Sequence, residues 1–161
     1  MKIELLTPDF QGSLDSVRTI IDAKPDIFSH NIETVRRLYP SIRFRSDYTA
    51  SFGLLKAAKG MDSQIFIKTG IMVGLGERKE EIAELMHHAV EAGVDILTIG
   101  QYLRPSIKHV EIQRYYHPEE FRELRDIGLD RADVGAVIKG GSPRTVEERI
   151  RAVTFDASMR S

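Results

Sequence analysis

Apolar, β-rich runs alternate with segments of helical period along this chain, and the alternation repeats four times. Strands joined through helices must run parallel, so this pattern selects βα units feeding a parallel sheet. The runs are residues 3–7, 26–29, 65–73 and 95–102. After the first, Ser13 can cap a helix in which Leu14, Val17, Ile20 and Ile21 share one face. After the second, Ser46 or Asp47 caps a helix that turns Tyr48, Phe52, Leu54 and Leu55 to the core, with Gly60 as its left-handed C′ residue. After the third, Glu80 and Glu81 load the first turn of a helix. Ile82, Leu85, Met86, Ala89 and Val90 form its apolar stripe, and Gly93 closes it. A further helix starts at Pro118 and runs through residue 127, with Phe121 and Leu124 inward. Beyond it, residues 134–138 read as a short strand, 140–143 as a turn and 145–153 as a short charged helix. The expected fold class is α/β, an open sheet of about four to five parallel βα units. That is fewer than the eight of a closed barrel, so the sheet stays open or is completed from outside this chain.

Charge narrows the expected partners. Lys and Arg number 23 against 24 Asp and Glu, which leaves no overall basic footprint for nucleic acid and no polybasic membrane patch. The apolar start is too short for a signal segment, and the expected compartment is cytoplasmic. The sequence contains no cysteine, which excludes disulfides, thiolate nucleophiles and thiolate-held iron–sulfur clusters built by this chain alone.

In parallel α/β architectures, ligands collect at the carboxyl ends of the strands, so the residues leaving each run matter most. The stretch Gly70-Ile71-Met72-Val73-Gly74-Leu75-Gly76-Glu77 allows close backbone approach to a ligand. It serves equally as a strand-to-helix turn, with Glu77 favouring the helix start. A phosphate site is disfavoured there, because no Lys, Ser or Thr follows at P-loop spacing. His30, Asn31 and Glu33 bring an imidazole, an amide and a carboxylate to one strand exit, suited to hydroxyl and ammonium groups. Local bonding is the alternative, with Asn31 fixing an Asx-turn and Glu33 starting a helix. Lys68 lies inside an apolar run, either pointing inward to meet a carboxylate or snorkelling. His87 and His88 are adjacent on a helix and do not converge on one metal ion.

Four motifs in order carry a resemblance. They are Thr7-Pro8-Asp9-Phe10-Gln11-Gly12, residues 25–35 with His30-Asn31-Ile32-Glu33-Thr34, Lys68 through Glu77, and residues 95–105 with Gly100-Gln101-Tyr102-Leu103-Arg104-Pro105. Together they resemble lipoyl synthase, the radical S-adenosylmethionine family that inserts two sulfurs into protein-bound octanoyl groups in lipoate biosynthesis. The likeness continues through His109 and the segment Arg114-Tyr115-Tyr116-His117-Pro118. It implies a partial (β/α) TIM-type barrel over residues 1–129, with 130–161 a divergent C-terminal extension rather than a separate domain. It also implies a share of the S-adenosylmethionine pocket. Asn31 and Glu33 would meet the ribose or methionyl end, Lys68 a carboxylate, Gly70, Gly74 and Glu77 would form the strand beside the adenine, and Gln101 and Tyr102 the adenine side. Met72 stands where isoleucine is usual.

The family holds its radical-generating 4Fe-4S cluster with a three-cysteine loop and a second cluster with further cysteines, and neither set is present here. Nor is the family's C-terminal serine motif. The resemblance therefore implies a lipoyl synthase fragment, inactive as a lone chain, with no catalytic residue or metal ligand of its own. One form of it is a truncated product, another a subunit of a split enzyme completed by a cysteine-bearing chain. An octanoylated lipoyl domain or the glycine cleavage H protein would be its protein partner. A different reading is a non-catalytic module that binds S-adenosylmethionine or a lipoyl domain. A third is a cluster-free (β/α) enzyme with Lys68 as an amine nucleophile.

Overall fold

The structure, a computed structural model, describes residues 1–132, with side chains to residue 128. The three elements expected at 134–138, 140–143 and 145–153 lie outside the described residues. Strands β1 (Glu4–Leu6), β2 (Ile27–Ser29), β3 (Phe66–Val73) and β4 (Ile96–Gln101) pair in parallel in the order 1-2-3-4. The helices are α1 (Leu14–Asp22), α2 (Tyr39–Ile42), α3 (Tyr48–Met61), α4 (Lys79–Glu91) and α5 (Pro118–Ala132). This is an α/β fold with an open four-stranded parallel sheet, consistent with part of a (β/α) barrel.

Local chemistry sets the helix ends. The Ser16 N–H donates to Ser13 Oγ at 3.3 Å at the start of α1, and the Ala50 N–H donates to Asp47 Oδ1 at 2.7 Å at the start of α3. Gly93 closes α4 with φ of 76°, the left-handed conformation that glycine adopts without a Cβ penalty. Gly60 does not play that part in α3. The helix continues through it to Met61, because the Asp62 N–H still donates to Ala58 and Asp62 Oδ1 then accepts from Gln64 to start the turn. Leu14 is likewise more than half exposed, since at the first helical position it projects beyond the core, and Val17 and Ile21 carry the burial of α1. The segment between β2 and α3 forms a 3-10 turn at Arg36–Leu38 and the short α2. Pro40 near its start has no N–H to leave unpaired.

The sheet is covered on one face. Along β3, Ile67, Thr69, Ile71 and Val73 are buried, while Phe66, Lys68 and Met72 between them are partly exposed. Period-two alternation places these sets on opposite faces. The buried set packs with Phe28 and Ile99 against Val17, Leu55, Ile82, Leu85 and Leu124 of the helices. At the amino end of the sheet, Asp95 Oδ2 accepts from Lys59 Nζ at 2.8 Å and from the Ile67 N–H at 2.9 Å, which ties α3 to β3 and the entry of β4. Among the described residues, no helix is long and apolar enough to cross a membrane.

Candidate functional site

Parallel strands bring all four exits to one rim. The exits of β1 and β2 are locked together there. The Thr7 N–H and hydroxyl donate to the Ser29 carbonyl at 2.8 and 3.1 Å, and His30 Nδ1 lies 3.0 Å from the Thr7 carbonyl. A carbonyl only accepts, so the Nδ1–H tautomer is the one that bonds. Burial pushes the His30 pKa down, which keeps the ring neutral. His30 is therefore a strand clamp. Thr69 completes it by donating to the His30 carbonyl at 2.8 Å and accepting from the Ile32 N–H at 3.2 Å.

Asn31 and Glu33 meet Gly70 at the centre of the rim. The Glu33 N–H donates to the Gly70 carbonyl at 2.9 Å, and its own carbonyl accepts from Met72 at 2.8 Å, an isolated parallel bridge beyond the end of β2. Glu33 does this with φ of 73°, a left-handed conformation that is strained for a residue with a Cβ. A Cβ on Gly70 would lie 2.8 Å from Thr98 Oγ1 and 2.9 Å from Asn31 Oδ1. The Asn31 amide thus crosses bare backbone that only glycine leaves open. Burial raises the Glu33 carboxyl pKa, opposed by the Arg43 charge and a hydrogen bond from Asn31.

Arg43 joins this cluster from the loop after α2. Its Nη1 donates to the Asn31 carbonyl at 2.6 Å and its Nη2 to Ser46 Oγ at 3.3 Å. Ser46 in turn donates to Asp9 Oδ2 at 2.7 Å, and that bond, with the Gln11 amide, holds the Asp9 carboxyl below its usual range. A relay from Asp9 through Ser46 and Arg43 to Asn31 therefore spans the exits of β1 and β2. The sequence offers no sign of it, because Arg43 sits outside every strand exit. Ser46 was an alternative helix cap, and the fold instead gives the cap to Asp47.

The remaining expected residues fall into two other places. Gly74 and Gly76 have φ of 101° and 99°, and the Glu77 carboxylate accepts from the Gly74 and Leu75 N–H groups at 2.7 and 2.9 Å. These amides are already paired within the chain. Gln101 lies against Gly74 and holds the loop that follows β4. Its Oε1 accepts from the Tyr116 N–H at 2.9 Å, and its Nε2 donates to the Arg114 carbonyl at 3.2 Å. Tyr102 is buried beneath that loop and donates to the Val110 carbonyl at 3.0 Å. Over the same loop, the Arg114 guanidinium lies 3.7 Å from the centre of the Tyr116 ring. Burial pushes the Tyr116 hydroxyl up to about 12. Lys68 stands apart on the open sheet face, paired with Glu4 at 2.9 Å. His88 Nδ1 bonds the Tyr48 hydroxyl at 3.0 Å. Among the described residues no group of three His, Cys, Asp or Glu could hold a metal ion.

One ion pair fixes the rim from outside. Glu81 accepts from Arg37 through both oxygens at 2.7 and 3.0 Å, while Arg37 also donates to the Gly76 carbonyl. Arg37, with further bonds from Arg78, holds the Glu81 pKa down to about 2, from an ordinary value of 4.5. A lowered folded-state pKa means stability that is fully present above about 4.5 and lost as pH falls through about 2. Urea midpoints taken from pH 6 down to pH 3 fall more steeply in the wild type than in Glu81→Gln; parallel curves would contradict this.

No protein-family model matches the chain. Three curated relatives are similar to the chain in sequence. A lipoyl synthase of Rubrobacter xylanophilus is 52% identical over 128 residues, covering 80% of this chain and 40% of that protein. A lipoyl synthase of Bacillus subtilis is 50% identical over 129 residues, covering 80% and 43%. A lipoyl synthase of a Geobacillus species is 44% identical over 163 residues, covering 99% and 54%. Over the matched residues the chain is thus homologous to proteins named lipoyl synthase, and it spans about half the length of the curated relatives it matches.

Proposed function

We propose that the rim around Asn31, Glu33 and Gly70 forms part of the S-adenosylmethionine pocket of a lipoyl synthase. That enzyme would insert two sulfurs into octanoyl groups carried on a lipoyl domain or the glycine cleavage H protein. The observation that carries the reading is the convergence of an amide, a half-buried carboxyl and a glycine backbone at one strand exit, in a chain 52% identical to a lipoyl synthase. The chemistry of each group suits its part. The Glu33 carboxyl accepts from hydroxyl or ammonium groups and Asn31 offers both a donor and an acceptor, while Gly70 and Gly74 leave the space into which the Asn31 amide and the Gln101 side chain pack. Glu77 acts by holding the turn. Gln101 and Tyr102 act by holding the loop at the adenine side, and Lys68 is the partner for a carboxylate on the open sheet face.

An iron–sulfur cluster does not fit this chain's own donors, since the sequence has no cysteine. Any cluster would draw its thiolates from other sequence, and a cysteine-bearing complementary chain is the partner this implies. The same absence favours a second reading, a non-catalytic module that binds S-adenosylmethionine without turning it over.

Calorimetric titration with S-adenosylmethionine tests the pocket. Glu33→Ala weakens binding by at least about tenfold, about 1.4 kcal/mol. Gly70→Ala also weakens it and lowers the urea midpoint as well, because its Cβ would lie 2.8 Å from Thr98 Oγ1, on a stiff β-branched side chain, and 2.9 Å from Asn31 Oδ1. A folded wild-type chain that binds no S-adenosylmethionine, or equal affinities in all three proteins, overturns the pocket. Reconstitution with iron and sulfide, followed by an assay for 5′-deoxyadenosine, separates the second reading from turnover.

A further inference from the structure

The groups proposed for the pocket are held by more than the strands that carry them. Arg43, at the end of α2, reaches back to them from outside the sheet. Its Nη1 donates to the Asn31 carbonyl at 2.6 Å, and its Nη2 donates to Ser46 Oγ at 3.3 Å. The backbone around it is fixed as well. The Arg43 N–H donates to the Tyr39 carbonyl at 2.7 Å, and the Arg43 carbonyl accepts from the Ser46 N–H at 2.9 Å. The guanidinium lies 5.9 Å from the centre of the Tyr39 ring, and that buried tyrosine is bonded through its hydroxyl to Ser51 of α3 at 2.7 Å. Asp9 adds the last link by accepting from the Ser46 hydroxyl at 2.7 Å. A side chain tied through its backbone, its fork and its flat face has little freedom left to lose when a ligand arrives.

We propose that Arg43 is the positioning residue of this site: it sets the Asn31 backbone and presents its charge to the Glu33 carboxyl, while Ser46, Asp9 and Tyr39 set Arg43. The ligand rests on the pocket proposed above, whereas the hold of Arg43 on Asn31 and Glu33 stands on its own hydrogen bonds. Position and charge both pass along this route. Only Ile32 separates Asn31 from Glu33, and it is fully buried, so a shift of the Asn31 carbonyl reaches a Glu33 backbone already fixed in a left-handed conformation. Burial pushes the Glu33 carboxyl up and the Arg43 charge opposes it, so loss of the guanidinium lets that carboxyl keep its proton to higher pH. The other titratable groups around Arg43 are Asp9, His30 and Tyr39. Hydrogen bonds from Ser46 and Gln11 hold Asp9 down, while burial lowers His30 and raises Tyr39.

Two measurements on the full chain test this, calorimetric titration with S-adenosylmethionine from about pH 7 down to about pH 4 and a carbon-13 NMR titration of the Glu33 carboxyl in the free chain. Arg43→Gln weakens binding at least about tenfold, and it moves both the acid limb of the affinity and the Glu33 midpoint to higher pH. Arg43→Lys keeps the charge without the fork, so affinity falls while the limb stays in place. Glu33→Gln removes the limb, which separates Glu33 from Asp9 and His30. Ser46→Ala weakens binding about fivefold in the wild type and less than about twofold in Arg43→Gln, because both losses run through one chain of bonds. Additive losses, or a Glu33 midpoint that does not move in a folded Arg43→Gln, overturn the proposal. If Arg43→Gln does not fold, wild-type affinity in both Arg43→Lys and Ser46→Ala overturns it. A wild-type chain that binds no S-adenosylmethionine overturns the pocket instead, and the Glu33 midpoint then decides alone: a rise in Arg43→Gln supports the role of Arg43, and an unmoved midpoint overturns it.

Discussion

Phe28→Ala lowers the free energy of unfolding by about 3–5 kcal/mol. Phe28 lies in β2, in register with Leu5 of β1 and Ile67 of β3, and is fully buried between the sheet and the helices. Truncation removes the transfer free energy of the ring. It also leaves a cavity that the flanking strands cannot close, because their hydrogen bonds fix their spacing. A small domain is stable by about 5–15 kcal/mol, so the variant unfolds at a much lower urea concentration or does not fold at all. Leu14→Ala, at an exposed position on α1, changes the midpoint little. Similar losses in the two variants would show that the covered sheet face is not the core.

Glu77→Ala costs about 2–4 kcal/mol, from two buried charge-assisted hydrogen bonds lost together. Without the carboxylate, the Gly74 and Leu75 N–H groups are left unpaired in a turn whose two glycines already hold left-handed conformations. The damage extends beyond stability. Gly74 packs directly against the Gln101 side chain and the Arg114 carbonyl, so a relaxed turn disturbs the loop after β4. Glu77→Gln falls between the two, since the amide keeps one acceptor and turns a donor toward the other N–H. Thermal or urea unfolding ranks the three proteins. Equal stability of Glu77→Ala and wild type would mean that the turn is held by its glycines alone.

Much of the architecture was legible along the chain for a simple reason. Each of β1 to β4 falls within one of the four apolar runs, and Ser13, Asp47 and Gly93 mark helix ends through local chemistry that needs no distant partner. The exceptions were local as well. Gly60 is compatible with helix, so a glycine late in a helical segment does not by itself end it, and Asp62 supplied the stop. The helical turns at 36–42 were missed because so short a segment shows less than two full apolar periods.

The site divided differently. Gathering polar residues at one rim follows from the parallel order of the strands, which the βα alternation already dictates. The partner of each residue does not follow. His30 reads as a ligand-facing imidazole, yet register sets it beside the Thr7 carbonyl and makes it a clamp. Glu77 reads as a helix-start carboxylate, yet the backward turn of the glycines folds it onto its own backbone. Lys68 finds Glu4, and Arg43 finds Asn31, across separations of 64 and 12 residues that no local pattern encodes. The sequence by itself determined the fold class, the strand order's raw material and the resemblance to lipoyl synthase, because periodicity, capping and motif spacing are properties of neighbours along the chain. Only the tertiary structure decided which side chains face a ligand and which hold the scaffold, because those choices depend on register and burial, which exist only once distant segments are packed together.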